Sequence, residues 1–370
     1  MKRTAGVLIA IMALSVPIFA ETRVSVTAEL LNTVASGAQL EDWTFLPTGS
    51  AELALRNQGS HRVRSELVLR YLPVGDGVLA SLERLYARAS FGEVLVTVGK
   101  TRSSWGAGLA LNAGDIIFGS SSTDFSLQAT DPRSQTSWLV SSELPLGDFS
   151  FAEIIVLPGV PDISNPFAPK APALNDAAAG TRVSLALGDI TMQSGYIFRG
   201  HEIAGLGTTG HHGFLSVEGY VPVTWHLSAA TRTPRDRWDA NALSDDLVVT
   251  AGANGDISLP ADRTLAWQLE ALVRPFGAFE SSPGAEASEY GLFLYPGISF
   301  LPRTGLTISL ASLVSPIDLS ANSLFSISWN IYESLTLLSY TSIASGEETD
   351  LFSIEKPGGV SFTIGARYVY

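Results

Sequence analysis

The sequence predicts an all-β chain: one closed antiparallel transmembrane β-barrel of about 18 strands, with 16 as the alternative if two weak strands merge. Three observations carry this. Hydrophobic residues make up 46% of the 370-residue chain, yet beyond the first twenty no apolar run approaches the roughly 18 residues a spanning helix needs. Apolar and polar side chains instead alternate with a period of two, segment after segment. The connectors alternate as well, tight turns at one end and longer loops at the other, which is the layout of a barrel that crosses a bilayer.

Residues 1–20, MKRTAGVLIAIMALSVPIFA, carry two basic residues, an apolar stretch from Ala5 to Ile18 and a small residue at Ala20 before Glu21. That is the layout of a secretory signal peptide, too short and wrongly flanked for a spanning helix. The barrel domain is therefore expected over residues 21–370. The chain has no cysteine, so disulfides contribute nothing to its stability and a small disulfide scaffold is excluded. The formal charge is −13, and an acidic balance argues against nucleic acid as a partner. The excess acid lies almost wholly beyond residue 110, because residues 21–110 carry nine basic and nine acidic side chains.

The alternation starts in TRVSVTAELL, where Val24, Val26, Ala28 and Leu30 oppose Arg23, Ser25, Thr27 and Glu29. It continues through SAELALR, HRVRSELVLRY and RLYARASF, then AGTRVSLAL, ITMQSGYIF, PVTWHLSA, TLAWQLEALV, GLTISLASL and LFSISWNIY. Long links are expected near 33–48, 100–132, 158–178, 199–212, 232–244, 274–288 and 344–359, and tight ones at NQGS, FGE, LPLGD, LGD and YES. The last segment, GGVSFTIGARYVY, places Phe362, Ile364, Ala366, Tyr368 and Tyr370 on one face. It is expected to pair with the first strand, since closure removes both edges and leaves no backbone amide unpaired in lipid.

That final segment, with a terminal aromatic and apolar residues at alternate positions behind it, resembles the assembly signal of bacterial outer-membrane β-barrels. The resemblance is to porin-like barrels as a class. It implies a bacterial outer-membrane location, with the lipid bilayer as the first partner and interfacial aromatic girdles. Trp138, Tyr196, Tyr220, Trp225, Trp267, Tyr290, Trp329, Tyr340 and Tyr368, all near strand ends, fit such girdles.

The first candidate site is an arginine ladder. Arg62, Arg64 and Arg70 share one strand face, Arg84 and Arg88 share a face of the next, and Arg56 stands on the strand before. Strands lie about 4.8 Å apart, so these guanidinium groups are expected to form one pore-lining patch. Unpaired buried charge costs several kcal/mol per ion, so the patch requires water or carboxylates. Either it orders anionic groups of passing solutes, or it is a set of wall arginines paired with Glu52, Glu66 and neighbours that holds the barrel rigid. The chain has 19 arginines against 4 lysines, and the rigid guanidinium fork suits fixed contacts to carboxylates and phosphates.

The second candidate is GKTRSSWGAGLALNAGDIIFGSSSTDF, rich in Gly and Ser yet still apolar. In general porins a long loop after an early strand folds back into the lumen, and this stretch is similar in placement. Its Arg102, Trp105, Gly106, Asn112 and Asp115 look like segments of several outer-membrane barrel families. Asp115 and Asp124 are candidates to face the arginines across a constriction. The alternative for 100–132 is two ordinary strands and a turn.

Three weaker patterns are set aside. GLGTTG, residues 205–210, lacks the flanking strand and helix that dinucleotide binding needs. His201, Glu202, His211 and His212 have no spacing that fixes a metal geometry. His226 and Ser228 resemble the His-x-Ser pair of outer-membrane phospholipases, but Ala229 and Ala230 stand where that family has Asn-Gly. No enzymatic activity, metal or cofactor is expected. The function predicted is diffusion of small polar or anionic solutes through the lumen; the alternative is a structural or surface-exposed barrel whose acidic loops bind a partner and whose lumen is plugged. Nothing in the sequence identifies an oligomer interface.

Overall fold

The computed structural model describes residues 21–58, 63–74, 77–118, 135–158, 177–200, 210–233 and 246–370. The expected signal peptide, Arg62, Asp124, His201, Glu202 and nearly all of GLGTTG lie outside them. Eighteen strands follow one another: β1 Glu21–Ser36, β2 Trp43–Gln58, β3 Val63–Val74, β4 Gly77–Phe91, β5 Val94–Thr101, β6 Ser137–Gly147, β7 Ser150–Leu157, β8 Ala178–Leu187 and β9 Ile190–Arg199. The second half comprises β10 Gly210–Tyr220, β11 Thr224–Thr233, β12 Val248–Leu259, β13 Arg263–Val273, β14 Leu292–Arg303, β15 Leu306–Ser315, β16 Ser320–Tyr332, β17 Leu335–Ser345 and β18 Val360–Val369. Each pairs antiparallel with its neighbours in sequence, and β1 pairs with β18 from Thr27↔Val369 to Ala35↔Ser361, so the sheet is a closed ring.

Closure is stitched from inside as well as through the backbone. Across the β1–β18 seam the Thr33 and Thr363 hydroxyls hydrogen-bond at 2.8 Å, and Arg367 Nε donates to Glu29 at 2.6 Å. The opposite face is apolar and open to the surroundings: Leu30, Leu215, Leu227 and Ile364 are each at least half exposed. A band of exposed apolar residues around a closed ladder is a lipid-facing surface. On that surface Ser312 and Ser323 satisfy each other at 2.8 Å, which leaves neither hydroxyl unpaired in hydrocarbon.

The alternation assigns most of the expected aromatics outward: Tyr196, Trp329 and Tyr368 are exposed. Three expectations are corrected. Tyr220 ends β10 on the inner face, two residues beyond Glu218 and opposite Thr224 in register. Tyr290 is fully buried, in the link before β14, where its carbonyl accepts from Arg274. Tyr340 stands on the inner face, opposite the buried Thr363 in register.

The inner face is not uniformly wet. In the long-loop half of β6–β15, Leu139, Ile155, Leu157, Ile197, Phe214, Val248, Leu272 and Phe293 point inward and form one buried apolar cluster with residues 105–118. Ala285, Ala287, Ile317, Leu351 and Phe352 of the long-loop end pack against it. Residues 102–118 form no strand.

Candidate functional site: an inward-folded segment and a charged inner wall

Residues 103–117 leave β5 and run across the inner faces of β7 to β13, and the wall satisfies their backbone group by group. Buried peptide groups must find partners, and here side chains supply them. Glu153 on β7 accepts from Trp105 Nε1 at 2.9 Å and from Ser103 Oγ at 3.2 Å. Gln193 on β9 accepts from Gly106 N, and Ser216 on β10 from Ala107 N. Ser228 on β11 donates to the Ala107 carbonyl and Thr250 on β12 accepts from Ala113 N. Gln193, Ser216, Ser228 and Thr250 face one another in register, so a single polar row across four strands forms the track on which the segment lies.

Charged groups also fix the middle and the far end. Glu270 on β13, 1% exposed, accepts from three consecutive amides, Leu109 at 2.8 Å, Ala110 at 3.0 Å and Leu111 at 2.6 Å. Successive N–H groups converging on one carboxylate form an anion nest. The fully buried Arg199 on β9 donates to the carbonyls of Ile116 and Ile117 and lies in the field of Asp115. Asn112 closes the loop by donating from Nδ2 to the Trp105 carbonyl at 3.1 Å. Gly106 and Gly114 touch backbone to backbone: a Cβ on Gly106 would lie 2.5 Å from Gly114 Cα, and Gly106 has φ +71°. Only glycine satisfies both conditions.

Trp105 is wholly buried, stacked on Phe214 with ring centroids 5.9 Å apart. Gly195 makes room for Phe214, because a Cβ there would sit 2.4 Å from its ring. Arg182 on β8 pairs with Glu153 at 2.7 Å, donates to the Ser104 carbonyl and lies over both Trp105 and Phe151.

Of the ladder arginines, Arg56, Arg84 and Arg88 occupy the other side of the lumen. Arg56 pairs with Glu66 at 2.9 Å, Arg84 approaches the same carboxylate at 3.6 Å, and Arg88 pairs with Glu143 at 2.9 Å while donating to Thr97. Strand register sets Arg64 opposite Arg88 and Arg70 opposite Glu52. Arg102, in the first residues of the segment, meets Arg88, Arg182, Tyr86 and Ser141 around a cavity of about 320 Å³. A second cavity, about 800 Å³, is lined in part by Leu109, Asn254, Gln268, Ser299 and Ser309. The structure thus brings Arg102 to Arg88, whereas Trp105, Asn112 and Asp115 are buried within the segment's own packing, and the guanidinium that Asp115 meets is that of Arg199. Sequence reasoning missed Glu153, Arg182, Arg199 and Glu270. His226 and Ser228 face inward, and Ser228 is committed to Ser216 Oγ and Ala107.

No family model and no curated protein matches the chain. Solved structures do. Wzi, an outer-membrane, carbohydrate-binding β-barrel involved in group 1 capsule assembly in Escherichia coli, aligns over 92% of this chain and 83% of its own, at 12% identity and a TM-score of 0.58. OccAB4 of Acinetobacter baumannii aligns over 95% and 98%, at 9% identity and 0.57. A triple mutant of the Rhodopseudomonas blastica porin aligns over 95% and 100%, at 9% identity and 0.50. The fold is that of a bacterial outer-membrane porin-like barrel. At these identities the likeness is one of fold, and the porin-like barrel acquires its particular character from the segment and wall described above.

Proposed function

We propose that this barrel is an outer-membrane pore for small polar solutes, narrowed by residues 102–118 and biased toward anionic groups by the arginines of β2–β4. The outer-membrane location follows from the porin-like fold and its apolar belt. The observation that carries the pore reading is the exposure of inward-facing charge. On the inner wall the side chains of Arg56, Arg84 and Arg88 remain 59%, 42% and 41% exposed, and charges in that position require water beside them. The segment covers β7–β13, so the hydrated space lies against β14–β18 and β1–β5. That wall is lined by the Ser299–Ser309 and Ser342–Asn322 hydrogen bonds and the Glu29–Arg367 pair.

The carboxylates of Glu66 and Glu143 offset part of the arginine charge, so a modest anion preference is expected. Reversal potential in a KCl gradient tests it: Arg84→Ala and Arg88→Ala should each move selectivity toward cations, and an unchanged potential in both removes the arginines from the reading. The apolar cluster at the long-loop end favours the second reading, a barrel with a plugged lumen. Open-channel steps in planar bilayers separate the two.

A further inference from the structure

We propose that Glu218, His226 and Glu270 form a proton-operated latch that holds the inward-folded segment at neutral pH and releases its middle on acidification. The latch concerns docking of residues 109–111 to the wall, so it stands or falls separately from permeation.

The three residues belong to one inner-face row. Glu218 is opposite His226, His226 opposite Gly252, Gly252 opposite Glu270, and Glu270 opposite Tyr295. Gly252 contributes no side chain, and the imidazole lies over it against Glu270. An ideal Cβ on Gly252 would be 2.5 Å from His226 Cε1, 2.9 Å from its Nε2 and 2.7 Å from Glu270 Cγ. His226 is more than nine-tenths buried, and its Nε2 has no hydrogen-bond partner among the described residues. A buried polar nitrogen without a partner calls for a reason.

The reason lies in how Glu270 is used. A carboxylate offers about four acceptor positions. All are taken: Oε1 accepts from Leu109 N and Gln268 Nε2, and Oε2 from Ala110 N and Leu111 N. Neutral His226 with a bare Nε2 asks nothing of them. Histidine is the side chain whose charge ordinarily changes between about pH 5 and 8. Once protonated, Nε2–H becomes a charged donor beside a saturated carboxylate, and its bond to Glu270 displaces a segment amide. The groups facing His226 are Glu218 from β10, Glu270 from β13 and, beyond Glu270, Tyr295 from β14; the row carries no arginine or lysine. Burial opposes charge on the imidazole and the adjoining Glu270 carboxylate favours it, so the charged form belongs to the acid side of that range, and half-buried Glu218 is the end of the row through which a proton reaches it.

Hydrogen exchange of the full chain folded in detergent, read by mass spectrometry on peptides covering 109–113 and corrected for intrinsic rates, tests the latch. Between pH 7.5 and 5.5 the wild-type segment should lose protection by about tenfold, the effect of one charge-assisted hydrogen bond. His226→Gln should show equal protection at both values, and Glu218→Gln should move the midpoint of the loss to lower pH. Unchanged wild-type protection, or the same loss in His226→Gln, overturns the proposal. Should His226→Gln fail the heat-modifiability test for a folded barrel, the Glu218→Gln midpoint decides, and an unmoved midpoint refutes the latch. Planar-bilayer conductance on the same samples reports permeation independently.

Discussion

Replacing Glu270 with alanine should undock the middle of the segment while leaving the barrel closed. Glu270 takes three backbone amides, and those of Ala110 and Leu111 lie inside the apolar cluster. A buried donor left unsatisfied costs about 1–3 kcal/mol, so the two buried ones cost roughly 2–6 kcal/mol, and water entering the vacated space brings the net toward the lower end. About 3 kcal/mol corresponds to on the order of a hundredfold in the open population. Trp105 on Glu153, Ala113 on Thr250 and Ile116–Ile117 on Arg199 still tether the flanks. Because the chain has no cysteine, Ala110→Cys can be introduced alone and with Glu270→Ala, and labelling by a water-soluble thiol reagent followed. The double variant should label about a hundredfold faster. Glu270→Gln, which keeps one carbonyl oxygen, should fall between. Equal labelling rates with and without Glu270 would refute the claim that this carboxylate docks the segment.

Two further outcomes follow from the same structure. Leu227 lies mid-strand on the outer face and is half exposed, so Leu227→Arg should cost about 2–4 kcal/mol in denaturant unfolding from lipid vesicles; a cost near zero would contradict lipid contact there. Asp318, in the turn between β15 and β16, is pushed up by burial, but hydrogen bonds from Leu351 N and from the Ser320 hydroxyl and amide outweigh this and hold its carboxyl below the ordinary range. A depressed folded pKa contributes stability above the unfolded value and loses it as pH falls through the folded one. The 346–359 link should therefore become sensitive to pepsin as pH drops below the ordinary carboxylate range. Asp318→Asn should lack that step, and an identical acid profile would remove Asp318 from the packing of that link.

The ring was legible because its physics is local. In β18, Phe362, Ile364 and Tyr368 alternate with Thr363 and Arg367 on a strict period of two, and closure onto β1 followed from the cost of unpaired amides in lipid. The filling of the lumen was less legible, because it depends on which inward residues meet across the barrel. A signal was present in strands apolar on both faces near the long-loop end, Ile154–Ile155–Val156–Leu157 on β7 and Leu292–Phe293–Leu294–Tyr295 on β14. A strand between lipid and water has no use for a second apolar face, so these runs mark an interior core. Glu153 and Arg199 are the only charged residues of their strands and Glu270 shares β13 only with Arg263 at the strand's far end, so a search for clustered charge passes over them. Arg199 and Glu270 bond backbone groups, and Glu153 the Trp105 and Ser103 side chains, of a segment far away in sequence, and no pattern within their own strands encodes that. Tyr220, Tyr290 and Tyr340 were misplaced for a related reason: proximity to a strand end does not specify a face.

The central claim is a sealed cylinder with an apolar exterior and a hydrated passage beside the docked segment. Single-channel recording of the refolded wild-type chain in planar bilayers tests it most directly. Discrete, reproducible open-channel steps in symmetric KCl at neutral pH are the predicted result. Folded, heat-modifiable protein that inserts but shows no steps, with or without Glu270→Ala, would contradict it.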